Sequence, residues 1–203
     1  MNMAVPEQSP ELDIPLRMSQ AEAALFEKLL STGKCYLEWG SGGSTLAAVR
    51  SNVRQIVSVE TDSAWIERLK KHEEISQAIT SNRLILRHVD IGPVGQWGVP
   101  MGPEKIRNWP RYALDPFVAT DLDFDVILVD GRFRAHCLLA VANCANANAA
   151  VFLHDYALRH QYTIADKYFD TIDRVDSAVI LKRRPKVNCR SLYIDLVSSL
   201  FDP

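Results

Sequence analysis

The chain has 203 residues, of which 47% are hydrophobic and 24% are charged, and its formal net charge is −2. This length suits one domain with a sizeable core, and the apolar fraction excludes a disordered or fibrous chain. A near-neutral charge argues against nucleic acid as the main partner, because phosphate binding needs a basic surplus. No apolar run reaches the ~20 residues that cross a bilayer, and the N-terminus lacks a signal-peptide pattern, so a cytoplasmic location is expected.

The first half of the chain predicts alternating helices and strands after an irregular leader over residues 1–18. Ser19 and Glu22 have the spacing of a capping box, which predicts a helix over residues 19–30. Apolar patterning predicts further elements along this half. The strands are predicted at residues 35–37, 55–59 and 84–89, and the helices at residues 44–50 and after Asp62.

The second half continues the alternation. Residues 126–129 form a β-branched apolar run without polar alternation, which is typical of a parallel strand buried on both faces. The other predicted elements are a helix at 134–147, a strand at 151–153, a helix near 162–169, strands near 172–175 and 178–182, and a C-terminal helix that presents Leu192, Leu196 and Leu200 on one face. Strands that alternate with helices predict an α/β fold with three layers and a doubly wound, mostly parallel sheet, in a single domain over residues 19–203.

Glycines are concentrated directly after the predicted strands. Of nine glycines, three follow the first strand, four follow the third and one follows the fourth. Open parallel sheets bind ligands outside the carboxyl ends of their strands. Most glycines therefore lie on the edge where a ligand would bind, although tight turns alone would explain any single group.

The most informative motif covers residues 38–45. Glu38 closes the first strand, and glycines then allow the backbone to approach a ligand closely before a helix begins. A P-loop would need a lysine after its last glycine, where Ser44 stands, and the dinucleotide fingerprint would need a glycine in place of Thr45. The carboxylate of Glu38 would also repel a diphosphate. Both of these nucleotide-binding motifs are therefore disfavoured.

The segment resembles the first motif of class I S-adenosylmethionine-dependent methyltransferases, in which an acid is followed by three alternating glycines. Glu38, Gly40 and Gly42 match this motif, and Ser44 replaces the last glycine with Gly43 beside it. The resemblance implies that Glu38 accepts a hydrogen bond from the ammonium group of S-adenosylmethionine (SAM), directly or through water. It also implies a seven-stranded sheet in the order 3-2-1-4-5-7-6, with strand 7 antiparallel.

Three further acids match the family in order at the ends of predicted strands. Glu60 stands where the family holds the ribose hydroxyls, Asp90 where it recognises adenine, and Asp130 beside the transferred methyl group. One strand-terminal acid often only caps the next helix, whereas four in register indicate a site. The implied cofactor-binding residues are Glu38, Gly40, Ser41, Gly42, Gly43, Ser44, Thr45, Glu60, Asp90, Ile91 and Asp130.

Residues 92–123 are predicted to form a long loop between the third and fourth strands. Residues 92–116 alone contain four glycines, five prolines and two tryptophans, without clear periodicity. The aromatic residues argue against disorder. Two interpretations remain: a partly ordered lid in which Trp97 or Trp109 touches adenine or substrate, or a surface loop that two buried tryptophans hold in place.

Polar residues follow the fourth and fifth predicted strands and should converge on one pocket. The predicted substrate-binding residues are Arg132, Arg134, Tyr156, Arg159, Tyr162, Trp97 and Trp109. Arginines can orient an anionic acceptor by charge-assisted hydrogen bonds. His154 or Asp155 is the candidate general base, and Asp130 completes the predicted catalytic set. Ordinary loop ion pairs would explain the same residues without catalysis.

A metal is compatible with the same residues. Asp130, His154 and Asp155 resemble the ligand placement in the Mg²⁺-dependent catechol-type and macrolide-sugar O-methyltransferases. Those families carry Asp-Asp or Asp-Asn after the fifth strand, and a histidine is a poorer ligand for a hard cation. Phe133 also replaces a lysine of the catechol enzymes. Mg²⁺ is therefore not favoured, and no metal ligand is assigned.

The sequence thus predicts a SAM-dependent methyltransferase that acts on a small-molecule acceptor, with oxygen favoured over nitrogen as the acceptor atom. Two alternatives stay open: a non-catalytic relative that binds SAM, and a dinucleotide-dependent oxidoreductase, which Glu38 and Thr45 disfavour. Neither nucleic acid nor a membrane is an expected partner.

Overall fold

A seven-stranded sheet forms the centre of the computed structural model, which describes residues 13–158 and 160–203. The strands are β1 (Cys35–Trp39), β2 (Gln55–Glu60), β3 (Leu84–His88), β4 (Val126–Val129), β5 (Ala150–Leu153), β6 (Phe169–Val175) and β7 (Ala178–Arg183). Their spatial order is β3-β2-β1-β4-β5-β7-β6. The first five strands are parallel, and β7 runs antiparallel to both of its neighbours. The predicted fold class and strand order are confirmed.

Helices flank the sheet. They are α1 (Gln20–Thr32), α2 (Gly43–Arg50), α3 (Ser63–Leu69), α4 (Glu73–Thr80), α5 (Trp109–Ala119), α6 (Arg134–Cys144) and α7 (Cys189–Ser198). Short 3₁₀ helices cover Gln96–Gly98, Ile106–Asn108, Tyr156–Leu158 and His160–Lys167. The predicted capping box is present, because the side chains of Ser19 and Glu22 each accept a hydrogen bond from the backbone of the other.

The core is divided into two apolar layers, one on each face of the sheet. Successive residues of a strand point to opposite faces, so Tyr36 and Leu37 enter different layers. Helices α5, α6 and α7 cover the layer that contains Leu37, and helices α1, α2 and α4 cover the other. All four residues of β4 are buried, as expected of a central parallel strand. This arrangement brings the carboxyl ends of β1, β2, β4 and β5 to one edge.

The structure corrects several sequence predictions. The loop predicted over residues 92–123 contains the helix α5, and α4 was not predicted. The α-helix expected near residues 162–169 is a 3₁₀ helix over His160–Lys167, and β6 already begins at Phe169. Element ends also differ by a few residues elsewhere, since the helix predicted to end at residue 147 ends at Cys144.

Helix α5 was missed because two of its residues are prolines. Pro110 lies in the first turn, where a backbone N–H has no helical partner in any case. Pro116 lies inside the helix and cannot donate to the carbonyl four residues earlier, which belongs to Tyr112. That carbonyl instead accepts a hydrogen bond from the indole Nε1 of Trp39 at 2.8 Å. A contact with a distant strand therefore compensates for the missing helical bond.

Candidate functional site

The glycines after β1 and β4 lie against each other at the carboxyl edge of the sheet. Gly40 has a φ of +96°, and a Cβ atom on it would approach the Cα of Gly131 to 2.9 Å. A Cβ on Gly131 would lie 2.1 Å from the hydroxyl of Tyr112. Packing within the protein therefore requires both glycines. Gly42 differs, because, apart from its neighbours in the chain, none of the described residues lies within 4 Å of the place that its Cβ would take.

Glu38 lies fully buried beneath this glycine turn. Its Oε2 accepts hydrogen bonds from the hydroxyls of Tyr36 at 2.9 Å and Ser44 at 2.6 Å, and its Oε1 accepts one from Thr45. Burial raises the pKa of Glu38 to about 7, although the hydroxyl hydrogen bonds oppose this shift. Because the side chain has no exposed surface, Glu38 offers a ligand no direct contact in this structure, and its predicted hydrogen bond to an ammonium group stays a prediction.

Further hydrogen bonds fix the turn from below. The hydroxyl of Ser41 lies 2.6 Å from that of Ser58 on β2, and the carbonyl of Ser41 accepts a hydrogen bond from the indole of Trp65 at 2.8 Å. Thr45 accepts one from the amide of Gly42 at 2.9 Å. The backbone between β1 and α2 is thus held by β2, by α3 and by its own helix.

Glu60 ends β2 beside the same turn and is 9% exposed. Its Oε1 accepts hydrogen bonds from the amides of Thr61 at 2.6 Å and Asp62 at 3.1 Å, and its Oε2 accepts one from the amide of Ser41 at 3.1 Å. Burial raises the pKa of Glu60 against these hydrogen bonds. A carboxylate oxygen has about two acceptor positions, so Oε2 can still accept a further hydrogen bond.

Asp90 and Ile91 follow β3 and have different environments. Asp90 is exposed, accepts a hydrogen bond from the amide of Gly92 at 3.0 Å and pairs with Lys105. The hydrogen bond from Lys105 lowers the pKa of Asp90. Ile91 is fully buried in the core, so its side chain supports the loop.

The 3₁₀ turn at Gln96–Gly98 folds back over Glu60. A Cβ on Gly98, whose φ is +70°, would lie 2.6 Å from the hydroxyl of Thr61, 3.6 Å from the Cγ of Arg132 and 3.8 Å from a carboxylate oxygen of Glu60. Trp97 within the turn has a left-handed backbone, and 65% of it is exposed. The loop therefore places an aromatic ring at the rim of the site.

The segment before α1 crosses the start of α2 and reaches this ring. A Cβ on Gly43 would approach the backbone of Leu16 to 2.5 Å. The guanidinium of Arg17 lies 5.2 Å from the ring centre of Trp97, within the range of a cation–π contact. Two parts of the chain that are distant in sequence thus meet over the glycine turn.

Trp109 is buried, whereas Trp97 is mostly exposed. Trp109 is 8% exposed, its indole donates to the carbonyl of Ile91 at 2.9 Å, and its ring lies 5.5 Å from that of Phe133. Trp109 therefore fits the interpretation of a tryptophan that holds the loop in place, and its predicted substrate contact is disfavoured. The predicted ligand contact of Trp97 stays a prediction.

Alanine substitutions should separate the two tryptophans. Trp109→Ala should lower the free energy of unfolding by about 3–5 kcal/mol, because it empties a buried aromatic site. Trp97→Ala should lower it by less than about 1 kcal/mol, because that ring is mostly exposed. Urea unfolding would measure both changes. Equal losses of stability would contradict this assignment.

The guanidinium of Arg134, at the start of α6, makes four hydrogen bonds and an ion pair inside the protein. The hydrogen-bond acceptors are the carbonyls of Gly131 at 3.0 Å, His154 at 2.7 Å and Asp130 at 2.9 Å and the carboxylate of Asp155 at 3.2 Å, and the ion pair joins Nη2 to the carboxylate of Asp130 at 3.0 Å. Arginine has five N–H donors, so at most one is left for a ligand. This geometry disfavours the prediction that Arg134 binds substrate, and Arg134 connects the loops after β4 and β5.

His154, directly after β5, bridges two carboxylates. Its Nδ1 lies 3.0 Å from Oδ1 of Asp130, and its Nε2 lies 3.3 Å from Oε2 of Glu22. Burial lowers the pKa of His154, but the hydrogen bond and charge of Asp130, with the charges of Asp155 and Glu22, outweigh this effect and raise it to about 9. An imidazolium cannot take up a further proton, so the geometry disfavours His154 as a general base.

Glu22 is the member of this cluster that sequence reasoning missed. It is 4% exposed and accepts hydrogen bonds from the amide of Ser19 at 2.9 Å and from the amide and hydroxyl of Ser177 at 3.0 and 2.7 Å. Burial alone would raise the pKa of Glu22, but the hydrogen bonds from Ser19 and Ser177 and the charge of His154 lower it to about 2. Its capping-box spacing was visible in the sequence, whereas its contact with His154 spans 132 residues.

The ligand atoms of Asp130, His154 and Asp155 lie within 4.8 Å of one another, close enough to hold a metal ion. The guanidinium of Arg134 already contacts both carboxylates, at 3.0 and 3.2 Å. A cation would have to displace Arg134 and remove a proton from His154. Mg²⁺ therefore stays disfavoured on the geometry of this cluster.

The remaining predicted residues lie around the cluster. Asp130 and Asp155 each keep 27% of the side chain exposed, and Tyr162 is nearly buried, with the guanidinium of Arg134 5.7 Å from its ring centre. The hydroxyl of Tyr156 donates to Asp166 at 2.8 Å. Arg132 is half-buried beside Gly98. Arg159 lies outside the described residues.

The raised pKa of His154 predicts a pH-dependent stability. The pKa of His154 in the folded protein, about 9, exceeds the ordinary 6.5. The protonated ring therefore stabilises the fold fully below pH 6.5, and this contribution is lost as pH rises through 9. Between pH 7 and 10 the free energy of unfolding of the wild type should fall by on the order of 2–3 kcal/mol more than that of His154→Gln. Urea unfolding at several pH values measures this difference.

The matched control is His88→Gln, which changes an exposed histidine at the end of β3. Its stability should follow the wild-type pH dependence. Parallel curves for the wild type and His154→Gln would contradict the ion pairs assigned to His154.

Comparison with known proteins agrees with this architecture. No protein-family profile and no curated protein sequence matches the chain. A methyltransferase-like protein from Silicibacter pomeroyi DSS-3 is 27% identical, with a TM-score of 0.81, over 94% of this chain and 98% of that one. The O-methyltransferase TomG from Streptomyces achromogenes, which is involved in tomaymycin synthesis and was solved with SAM, is 14% identical, with a TM-score of 0.54, over 85% and 83% of the two chains.

An O-methyltransferase from Bacillus cereus, solved with S-adenosylhomocysteine (SAH), is similar to the same extent: 13% identity and a TM-score of 0.54 over 84% of each chain. The sheet order and these matches identify the class I SAM-dependent methyltransferase fold, as the first motif and the strand-terminal acids predicted. Among the described residues, no helix is long and apolar enough to cross a bilayer.

Proposed function

We propose that the protein is a SAM-dependent methyltransferase that acts on a small-molecule acceptor. The observation that carries the proposal is the open space beside Gly42: apart from its two neighbours in the chain, no described residue has an atom within 4 Å of the place that a Cβ would take. Contacts within the protein account for the glycines at 40 and 131, but they do not account for this one. A ligand whose chain passes close to the backbone would use the space.

The charges around the turn select the kind of ligand. Glu38 and Glu60 both lie next to the turn and carry no contact with a cationic side chain among the hydrogen bonds and ion pairs of the described residues. SAM carries an ammonium and a sulfonium, which these carboxylates attract, whereas the diphosphate of a dinucleotide would be repelled. This difference supports SAM over the oxidoreductase alternative.

The residues of the chain fit SAM at defined atoms. Oε2 of Glu60 retains an acceptor position for a ribose hydroxyl, and the backbone of residues 40–42 would lie along the methionine part. When bound, SAM supplies an electrophilic methyl group for an in-line displacement. The protein then has to align the acceptor and exclude water. The turn at Gln96–Gly98 and the segment before α1 lie over the site and would serve the second purpose.

Asp130 and Asp155 are the proposed catalytic contacts. Each has a partly exposed carboxylate at the ends of β4 and β5, so each can orient an acceptor or receive its proton. Arg134 and His154 hold these carboxylates in place. An anionic acceptor would be recognised through Arg132 and Arg159, and oxygen is the proposed acceptor atom, as in the O-methyltransferases with the same fold.

A non-catalytic SAM-binding protein is the second candidate. One observation favours it: Arg134, predicted to bind substrate, and His154, predicted as a general base, both contact carboxylates or carbonyls of the protein. Transfer of labelled methyl from SAM to a panel of phenols, hydroxy acids and amines separates the two functions. SAH binding without transfer to any class would favour the binding protein.

Substitution of glycines tests the cofactor site. Gly42→Ala should keep the free energy of unfolding within about 1 kcal/mol of the wild type, because its Cβ meets open space. The dissociation constant for SAH should rise by about tenfold or more, since the methyl group takes space that the ligand needs. Calorimetric titration and urea unfolding measure the two effects. Gly131→Ala should instead destabilise the fold, because its Cβ would lie 2.1 Å from the hydroxyl of Tyr112.

The control for this experiment is Gly95→Ala, whose Cβ would have its nearest neighbour at an ordinary 3.6 Å. This variant should preserve both stability and SAH affinity. Unchanged SAH affinity in Gly42→Ala would refute the proposed cofactor path. Tighter binding of NAD than of SAH by the wild type would favour the oxidoreductase.

Metal removal provides a further prediction. Methyl transfer should be the same with EDTA as with added Mg²⁺, because Arg134 supplies positive charge to both carboxylates of the cluster. The labelled-methyl assay in the two conditions measures this. Activity that EDTA abolishes and Mg²⁺ restores would show that a cation displaces the guanidinium.

A further inference from the structure

We infer that Glu22 is a positioning residue for the proposed methyl transfer and that it acts through the imidazole of His154 on the carboxylate of Asp130. The expected effect on the rate of methyl transfer rests on the proposed function. The contacts that join Glu22, His154 and Asp130 rest on the geometry alone. Glu22 belongs to α1, which contributes no residue to the predicted cofactor or catalytic sets.

The linkage is a continuous chain of polar contacts. Oε2 of Glu22 lies 3.3 Å from Nε2 of His154, and Nδ1 of the same ring lies 3.0 Å from Oδ1 of Asp130. A planar ring that is fixed at both nitrogens cannot rotate without breaking one of these contacts. The orientation of the Asp130 carboxylate therefore depends on where Glu22 is held.

Glu22 is held more firmly than helix capping requires. In a capping box the side chain of Glu22 needs to accept only one hydrogen bond, from the backbone amide of Ser19. Glu22 also accepts two hydrogen bonds from Ser177, in the turn between β6 and β7. The same turn receives a hydrogen bond from the hydroxyl of Ser19 to Asp176 at 2.5 Å. The start of α1 is thus fixed to the turn between β6 and β7.

Asp130 is the member of the series Glu22–His154–Asp130 that faces solvent. Its contacts with His154 and Arg134 at 3.0 Å both fall on Oδ1, which leaves the acceptor capacity of Oδ2 for a ligand. The side chain of Asp130 is 27% exposed, whereas that of His154 is 11% exposed and that of Glu22 is 5% exposed. The buried members of the chain therefore orient an exposed carboxylate at the end of β4.

The charges that face His154 come from every element around it. Glu22 faces it from α1, Asp130 from the end of β4 and Asp155 from its own loop, where Oδ1 lies 3.8 Å from Nδ1. Arg134 of α6 donates to the carbonyl of His154. Among the described residues, three carboxylates and one guanidinium surround His154, so protonation of the ring reduces the excess of negative charge. Removal of one carboxylate should weaken that preference.

The test is Glu22→Gln, which preserves size and the capping box, because glutamine also serves at this position. With SAM saturating, the rate of methyl transfer should fall by about 10- to 100-fold. The dissociation constant for SAH should change less than about threefold, because Glu22 lies outside the proposed cofactor site. In the ¹⁵N spectrum of the histidine rings, the pKa of His154 should be lower than in the wild type, because one of the carboxylates that raise it has been removed.

The matched control is Glu27→Gln, which removes an exposed carboxylate from the same helix. It should leave the transfer rate, SAH affinity and the spectrum of His154 unchanged. If Glu22→Gln does not fold, His154→Gln makes the same test, with a slowed transfer and an SAH affinity within threefold of the wild type.

A double-mutant cycle decides whether Glu22 acts through His154. The double variant Glu22→Gln, His154→Gln should be no slower than His154→Gln alone, whereas losses that multiply would overturn the inference. An unchanged His154 spectrum in Glu22→Gln would also overturn it. If SAH binds, no acceptor is methylated and the His154 pKa still falls, the linkage stands and the proposed function fails.

Discussion

The burial of a carboxylate beneath the glycine turn is the constraint on which the rest of the site depends. A carboxylate in a protein interior costs several kcal/mol unless donors surround it. Glu38 meets this requirement with hydroxyls from its own strand and from the first turn of α2. The position of that helix, and of the backbone before it, follows from the need to supply hydrogen bonds to one buried carboxyl group.

The sequence predicted the order of the sheet because the relevant signals are local. Apolar runs, glycines after strands and an acid at each strand end all lie within a few residues of one another. Helix α5 escaped prediction because its internal proline is compensated by Trp39, 73 residues away from Tyr112 in the chain. A contact of that kind has no signature in the helix's own sequence.

The candidate site divides in the same way. The acids that end β1, β2 and β4 could be located from the sequence, since their positions follow from the strands that carry them. The sequence could not show which donor pairs with which acceptor. Arginine and histidine at positions 134 and 154 suggested substrate binding and proton transfer by residue type, but the partners of these side chains come from separate elements. From the sequence Glu22 is only a capping residue, because its contact with His154 forms between residues that are 132 positions apart.

The indole of Trp39 and the proline of α5 also constrain how the sequence can vary. Any other residue at 116 would restore an amide hydrogen that competes with the indole for the carbonyl of Tyr112. A tryptophan buried without an acceptor loses the benefit of its polar edge. In sequences that share this architecture, exchange of Pro116 should therefore accompany replacement of Trp39 by an aromatic residue that lacks a ring N–H.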